Sequence, residues 1–392
     1  MSERSTGSGA KASREQRAER DAERDAERDA ERQASIDAQL EPLRQRIDAL
    51  DAQLLELVSE RARAAQRVGE VKHRVDAPVY RPEREAQVLA RLRERNPGPL
   101  SGEALEAIWR ELISACRGLE QRVRIAFLGP EGTFSELAVL AHFGSSVEPV
   151  ACATIEEVFR ASEAGSTDFG MVPVENSTEG AVNRSLDLML QTPLCIAAEV
   201  SVPVRHNLMT HNGSMAGVSR VCAHGQALAQ CTNWLNQNYP GLERVAVASN
   251  AEGARLARED ATVAAIAAER AAIRFGLQIV APGIQDDPQN RTRFVIVGRQ
   301  DCEPSGADLT SLILSVPDRA GAVHALIEPL ARQGVSMKRF ESRPARQGTW
   351  EYYFYIDLIG HRLDPPVAAA LGEIRAHAAF YKMLGSYPRS GG

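Results

Sequence analysis

From Leu43 to Val71 the chain sets an apolar residue at every third or fourth position: Leu43, Ile47, Leu50, Leu54, Leu57, Val58, Ala62, Ala65, Val68 and Val71. A period that persists for about thirty residues admits one local structure, a long amphipathic helix. Pro78 interrupts it. Pro82 suits the first turn of a second helix over residues 83–95. Asn96-Pro97-Gly98-Pro99 breaks the chain again before a third helix from Ser101 to Glu120, apolar at Leu105, Ile108, Trp109, Leu112 and Ile113. One very long helix and two short ones make a poor isolated core, so a homodimer, or a higher homo-oligomer, is expected to cover the stripe.

Upstream, residues 1–35 pass from Ser and Gly into the repeat Arg20-Asp21-Ala22-Glu23, which recurs at Arg24 and Arg28. Its four-residue period stacks like charges at i,i+4 and offers no apolar face, so a charged, disordered tail is expected. At Arg122 the period becomes that of a strand. Strand patterns then alternate with helical ones to residue 300, which predicts an α/β domain with a mostly parallel sheet, long enough for two lobes and a cleft. After the short linker Glu303-Pro304-Ser305-Gly306, residues 307–388 read as β-α-β-β-α-β, a ferredoxin-like module.

A chain of 392 residues is too long for one ordinary core. Its net charge of −6 argues against a nucleic-acid partner. The six cysteines include no Cys-x-x-Cys pair, so neither a metal ribbon nor a disulfide framework is suggested. No apolar run approaches the roughly 20 residues of a membrane span, and the N-terminus is charged where a secretory signal is apolar. A cytoplasmic enzyme without membrane, metal or cofactor is expected.

The chemistry gathers at strand mouths. Asp286-Asp287-Pro288-Gln289-Asn290 is a loop leading to a strand at Phe294–Val297, with Thr292 and Arg293 at the junction. Threonine can assist a leaving oxygen, and arginine can clamp a carboxylate. Gly129-Pro130-Glu131-Gly132-Thr133-Phe134-Ser135 and Val174-Glu175-Asn176-Ser177-Thr178-Glu179-Gly180 are similar turns that open helices, where amides suit an anion. Neither is a dinucleotide or Walker loop, so nucleotide binding is not expected. On the long helix Arg61 and Lys72 share a face about 16 Å apart, while Arg44 lies about 25 Å from Arg61 on another face, beyond the reach of one small ligand. On these features alone a non-catalytic sensor, or a dehydratase with a helical dimeriser, stays open.

Asn290-x-Thr292-Arg293-Phe294 and Gly129-Pro130-x-Gly132-Thr133-Phe134-Ser135 resemble the prephenate dehydratase signatures. Leu43-Arg44-x-x-Ile47, Glu60-Arg61, Gly69-x-x-Lys72 and Arg84-Glu85 resemble the all-helical chorismate mutases. Pro317-x-x-x-Gly321-Ala322-Val323-His324 and Phe340-Glu341-Ser342-Arg343-Pro344 resemble ACT regulatory domains. In this order they look like the bifunctional family that joins all three.

The resemblance implies an all-α dimeric mutase domain over 36–121, a two-lobed dehydratase of type II periplasmic-binding-protein architecture over 122–300, and an ACT domain over 307–388. It implies that Arg44, supplied by the partner chain, holds chorismate with Arg61 and Lys72, and that Arg84, Glu85, Arg81 and Glu120 complete that site. Thr292 is implied as the group assisting loss of the prephenate hydroxyl, Arg293 as an anion binder, and Thr133, Ser135, Asn176, Thr178 and Gln230 as the cleft lining. L-phenylalanine is the implied effector, held between subunits by Gly321, Ala322, Val323, Glu341, Ser342, Arg343 and Pro344. Three positions depart from relatives: Arg81 stands for Asp, Glu120 for Gln and Ala223 for Ser. Glu120 donates a hydrogen bond only when protonated, so mutase activity is expected to fall with rising pH.

Overall fold

The computed structural model describes residues 8–75, 77–317, 319–344 and 352–390, with first-helix side chains described at Arg28 and from Arg32 onward. The chain divides into two compact units, residues 1–64 and 65–392. Helix α1 (Ser8–Arg74) contains the whole apolar stripe. In the first unit Leu43, Ile47, Leu50, Leu54 and Leu57 are all exposed.

The same helix takes in Ser8–Ser35, which corrects the expectation of a disordered tail. Ala, Arg and Glu are strong helix formers. Pro42 lies inside the helix and costs it one backbone bond. No helix of the described residues is long and apolar enough to cross a membrane.

In the second unit α2 (Pro82–Glu94) begins on its proline and α3 (Gly102–Glu120) on Ser101, whose hydroxyl accepts from the Ala104 amide at 3.1 Å. The first lobe follows: β1 (Arg124–Leu128), α4 (Phe134–Phe143), β2 (Glu148–Cys152), α5 (Ile155–Glu163), β3 (Phe169–Asn176), β4 (Gly180–Ala181), α6 (Asn183–Gln191) and β5 (Cys195–Pro203). The second lobe holds β6 (Asn207–Thr210), β7 (Arg220–His224), α7 (Gly225–Gln230), α8 (Thr232–Asn238), β8 (Glu243–Val247), α9 (Asn250–Glu259), β9 (Val263–Ala267), α10 (Glu269–Phe275) and β10 (Gln278–Ala281). β11 (Arg291–Gly298) then returns to the first sheet.

The two sheets run β2-β1-β3-β11-β5 and β10-β6-β9-β7-β8. They are mixed, not mostly parallel. β1 is parallel to β2 and β3, and β7 to β8 and β9, but β11 is antiparallel to β3 and β5, and β6 to β9 and β10. The cause is topological: the chain leaves the first lobe along β5 and comes back along β11, so its outgoing and returning strands oppose each other.

The third sheet is β13-β14-β12-β15, antiparallel throughout, built from β12 (Asp308–Ser315), α11 (Ala322–Arg332), β13 (Met337–Pro344), β14 (Tyr352–Ile359), α12 (Pro365–His377) and β15 (Phe380–Pro388). This is the ferredoxin-like order. The module is docked rather than merely tethered: Leu309, Ile313, Tyr355, Leu384 and Tyr387 share one buried cluster with Val174, Ile196 and Val295 of the first lobe. Gly385 permits the approach, because its φ is +144° and a Cβ there would lie 2.5 Å from the Ile196 carbonyl oxygen.

Candidate active site

β11 begins at Arg291, so Thr292 sits inside the strand and registers with Asn176 of β3. Asn176 Nδ2 donates to Thr292 Oγ1 at 2.9 Å and to Asn290 Oδ1 at 3.0 Å. Asn176 Oδ1 accepts from the Thr178 and Glu179 amides, each at 3.0 Å. Those two backbone donors decide which end of the side-chain amide faces Thr292. Because Oγ1 is occupied as an acceptor, the hydroxyl proton of Thr292 is free to point at a bound molecule.

The network continues into the second lobe. Asn290 Nδ2 donates to Gln230 Oε1 at 3.1 Å, and His206 Nε2 lies 3.0 Å from the same oxygen. Gln230 Nε2 faces a Glu179 carboxylate oxygen at 3.4 Å, which fixes that amide as well. His206 therefore carries its proton on Nε2, and its Nδ1 is buried without a hydrogen-bond partner among the described residues. Burial pushes the His206 pKa below the ordinary histidine value, against the Gln230 hydrogen bond, and keeps the ring neutral.

These groups border a cleft of about 360 Å³ between the lobes. Of the expected residues, Thr133, Ser135, Asn176, Gln230 and Thr292 line it, joined by the unexpected His206, His224, Ser249 and Asn250. Thr133 stands at the N-terminus of α4 and Ser249 at that of α9, where its hydroxyl accepts from the Glu252 amide at 3.0 Å. Helix N-termini present unpaired amides and partial positive charge, so an anion is welcome there. Among the described residues no arginine or lysine lines the cleft.

Arg293 and Thr178 depart from expectation. Successive strand residues face opposite ways, so Arg293 turns its guanidinium from the cleft toward Glu199 Oε2 (2.7 Å), Asp357 Oδ2 (2.6 Å) and the Tyr387 hydroxyl (3.1 Å). Thr178 is exposed and serves through its backbone amide.

The helical residues are placed differently. In the first unit Arg44 is exposed and Arg61 half-buried on α1. In the second, Lys72 Nζ lies 3.4 Å from Glu120 Oε2 and donates to the Val79 carbonyl at 3.0 Å. Gly69 admits this carboxylate, since a Cβ there would meet Glu120 Cγ at 2.7 Å. Arg81 pairs with Glu83 at 2.6 Å, and Arg84 is exposed.

Glu85 accepts from Arg117 Nη1 at 2.5 Å, while Arg117 Nη2 donates to the Phe143 carbonyl at 2.6 Å. Burial raises the Glu85 pKa, and the Arg117 charge opposes the rise. Arg117 is buried and lies 5.3 Å from the Tyr80 ring centroid, a role that nothing in its local sequence announces.

In the third sheet, Gly321 caps α11 with a φ of +77°, followed by buried Ala322 and partly exposed Val323. Tyr353 registers with Ser315 on one side and Arg343 on the other, so the Gly321–Val323 turn and the Glu341–Pro344 strand end belong to one end of the sheet. Arg343 donates to the Asn183 carbonyl at 2.6 Å and lies 3.1 Å from Asp187 on α6. Arg343 and Pro344 also border a cavity of about 280 Å³. Asp318 and residues 345–351, beside these motifs, lie outside the described residues.

Family models match the chain in three segments: chorismate mutase type II over 43–121, prephenate dehydratase over 125–302 and ACT domain over 310–376. A "bifunctional chorismate mutase/prephenate dehydratase" of Neisseria gonorrhoeae is 47% identical over 356 residues, covering 90% of this chain and 98% of that protein. The solved prephenate dehydratase of Arthrobacter aurescens, in complex with L-Phe, is 35% identical with a TM-score of 0.63, over 68% of this chain and 90% of that one. GqqA, described as a novel type of quorum quenching acylase, is 30% identical with a TM-score of 0.63, over 68% of this chain and 98% of its own.

Proposed function

We propose that this chain, which belongs to the bifunctional chorismate mutase/prephenate dehydratase family, runs its two reactions on separate sets of residues in the cytoplasm. The Claisen rearrangement needs no nucleophile or proton relay, only a folded substrate and positive charge near the oxygen that gains electron density. Arg61, Lys72 and Arg84 supply that charge with Arg44 of a second copy, whose helix would also cover the exposed stripe. Mixing Arg44→Ala with Arg61→Ala protein tests the shared site. Each mixed dimer then regains one intact site, so mutase activity returns to about a quarter of wild type. No recovery would place both arginines in one chain's own site.

Dehydration takes place in the cleft. The bond between the ring carbon and its hydroxyl breaks with the electron pair leaving on oxygen, a proton from solvent makes this water, and the ring carboxylate departs as carbon dioxide while the ring becomes aromatic. Thr292 assists the departing oxygen as a hydrogen-bond donor, and the Asn176 amide, bonded to Oγ1, aims and polarises that hydroxyl. A threonine proton is too firmly held for complete transfer. The carboxylate that stays on the product is met by the amides opening α4 and α9. A cationic partner would stabilise the carboxylate that must leave, so a cleft lined by neutral donors suits its loss.

L-phenylalanine is the effector, read at Gly321–Val323 and Glu341–Pro344; the complex of the Arthrobacter aurescens relative supports this. The match to bifunctional relatives over 90% of the chain favours dehydration over the acyl hydrolysis described for GqqA. The observation that carries the reading is the Asn176–Thr292 hydrogen bond at the cleft wall. Mass spectrometry of the products from chorismate tests it: prephenate and then phenylpyruvate are expected, the second suppressed by phenylalanine. Prephenate accumulating as the end product would remove the dehydratase reading.

A further inference from the structure

β3 and β11 pair at two successive rungs, Asn176 with Thr292 and Glu175 with Arg293. Because side chains alternate across a sheet, this patch has two unlike faces. The cleft face carries the neutral hydrogen bond from Asn176 to Thr292 at 2.9 Å. The opposite face carries charge: Arg293 Nη1 lies 3.9 Å from Glu175 and 2.6 Å from Asp357 of β14, and Nη2 donates to Tyr387 of β15 at 3.1 Å. Arg339 of β13 reaches Glu175 at 3.7 Å, and its Nη2 is buried without a hydrogen-bond partner among the described residues. Ser311 of β12 donates to the other Asp357 oxygen at 2.5 Å and lies 2.7 Å from the Tyr387 hydroxyl.

All four strands of the third sheet thus contribute a side chain to the back of the catalytic rung. On its β3 side the rung adjoins a register slip between Arg293 and Phe294, where two residues of β3 oppose one step of β11, whereas against β5 the register runs unbroken from Arg291 to Ile296. The contacts from the third sheet brace the irregular side.

We infer that Asp357 and Arg339 are positioning residues for the dehydratase reaction: by gripping Arg293 and Glu175 they set the angle at which Thr292 enters the cleft. Neither touches substrate. Four residues beyond Arg339 on the same strand, Arg343 of the Glu341–Pro344 motif holds α6 through Asn183 and Asp187. The strand that carries the effector motif therefore touches the chain on both sides of the 177–182 turn. The inference rests on the dehydratase reading and adds the route by which the third sheet acts on it.

Asp357→Asn in the full-length protein removes the charge and keeps the shape. About a tenfold loss of kcat on prephenate is expected, with KM within twofold, mutase activity unchanged and the melting temperature near wild type; Asp357→Glu should restore part of the rate. Arg339→Gln, less buried in the cluster, gives the same split with a smaller loss and serves if Asp357→Asn does not fold. Unchanged kcat in both variants would overturn the inference. A rise in KM at constant kcat would overturn it too, returning Arg293 to substrate binding. If wild-type protein makes no phenylpyruvate from prephenate, the dehydratase reading fails and this inference with it.

Discussion

The helical region and the dehydratase cleft solve the same problem, an anionic substrate, by opposite means. On α1, Arg44 and Arg61 stand some 25 Å apart by helix rise, on a surface whose apolar residues are exposed. Their charges are long-range and tolerant of geometry, so one helix and a second copy of it can share the work. Among the described residues the cleft has no arginine or lysine in its lining, and it relies on helix N-termini together with an amide and a hydroxyl that are already bonded to each other. Hydrogen bonds are short and directional, and such a site has to be closed within one chain and braced from behind. A reaction that asks only for charge tolerates an open scaffold, whereas one that asks for an aimed hydroxyl needs a rigid sheet.

The largest expected effect separates the two regions outright. Thr292→Ala should lower kcat for phenylpyruvate formation by about a thousandfold, or about 4 kcal/mol of barrier, with mutase activity intact on the same preparation. Thr292→Ser keeps a hydroxyl and should lose far less. Asn176→Ala, which leaves the hydroxyl unaimed, should fall between them at about a hundredfold. Full dehydratase activity in Thr292→Ala would leave the cleft without its donor and break the comparison.

What could be read in advance follows the reach of each interaction. The apolar period of α1 and the β-α-β-β-α-β order are local, and both emerge from residues a few positions apart. Strand direction is not local: alternating strand and helix patterns look the same whether β11 re-enters the sheet parallel or antiparallel. The helical repeat before Ser35 was hidden differently, because helix propensity acts without any apolar stripe to betray it. At the site, Thr292 was legible from its motif, whereas the direction taken by Arg293 depends on partners 94, 64 and 94 residues away, Glu199, Asp357 and Tyr387. His206 leaves no local trace, since its value lies in reaching Gln230 across the cleft, where Asn290 of the signature meets the same oxygen.

A second effect asks whether the two regions are separate in stability as well as in chemistry. His142 of α4 lies 2.5 Å from the Tyr80 hydroxyl of the segment between α1 and α2. Burial, with the Arg110 and Arg117 charges, pushes its pKa down to about 3, against an ordinary value of about 6.5. The folded protein therefore keeps this ring neutral while the unfolded chain takes up a proton. The stabilisation is full above pH about 6.5 and is lost as the pH falls toward 3, amounting to about 3 kcal/mol by pH 4. Urea unfolding at pH 7 and pH 4 should show wild type losing about 3 kcal/mol more than His142→Gln, with mutase and dehydratase activities failing together. Equal losses in the two proteins would mean that the ring is not held neutral at this seam.

The smallest expected effect lies in the tolerant region and tests how tolerant it is. Glu120 is held 3.4 Å from Lys72, a residue proposed to bind chorismate, so its carboxylate competes with the substrate for that ammonium group. An ionised carboxylate also cannot donate to the ether oxygen that the rearrangement releases, whereas a neutral amide can. Glu120→Gln changes both at once: it frees Lys72 and offers a donor. Since Gly69 leaves room for this side chain and the amide has nearly the same shape, the fold should not object. Mutase kcat/KM should rise several-fold. If kcat/KM of Glu120→Gln equals that of wild type, Glu120 neither limits the donor nor screens the lysine, and the charge that matters comes from the arginines alone.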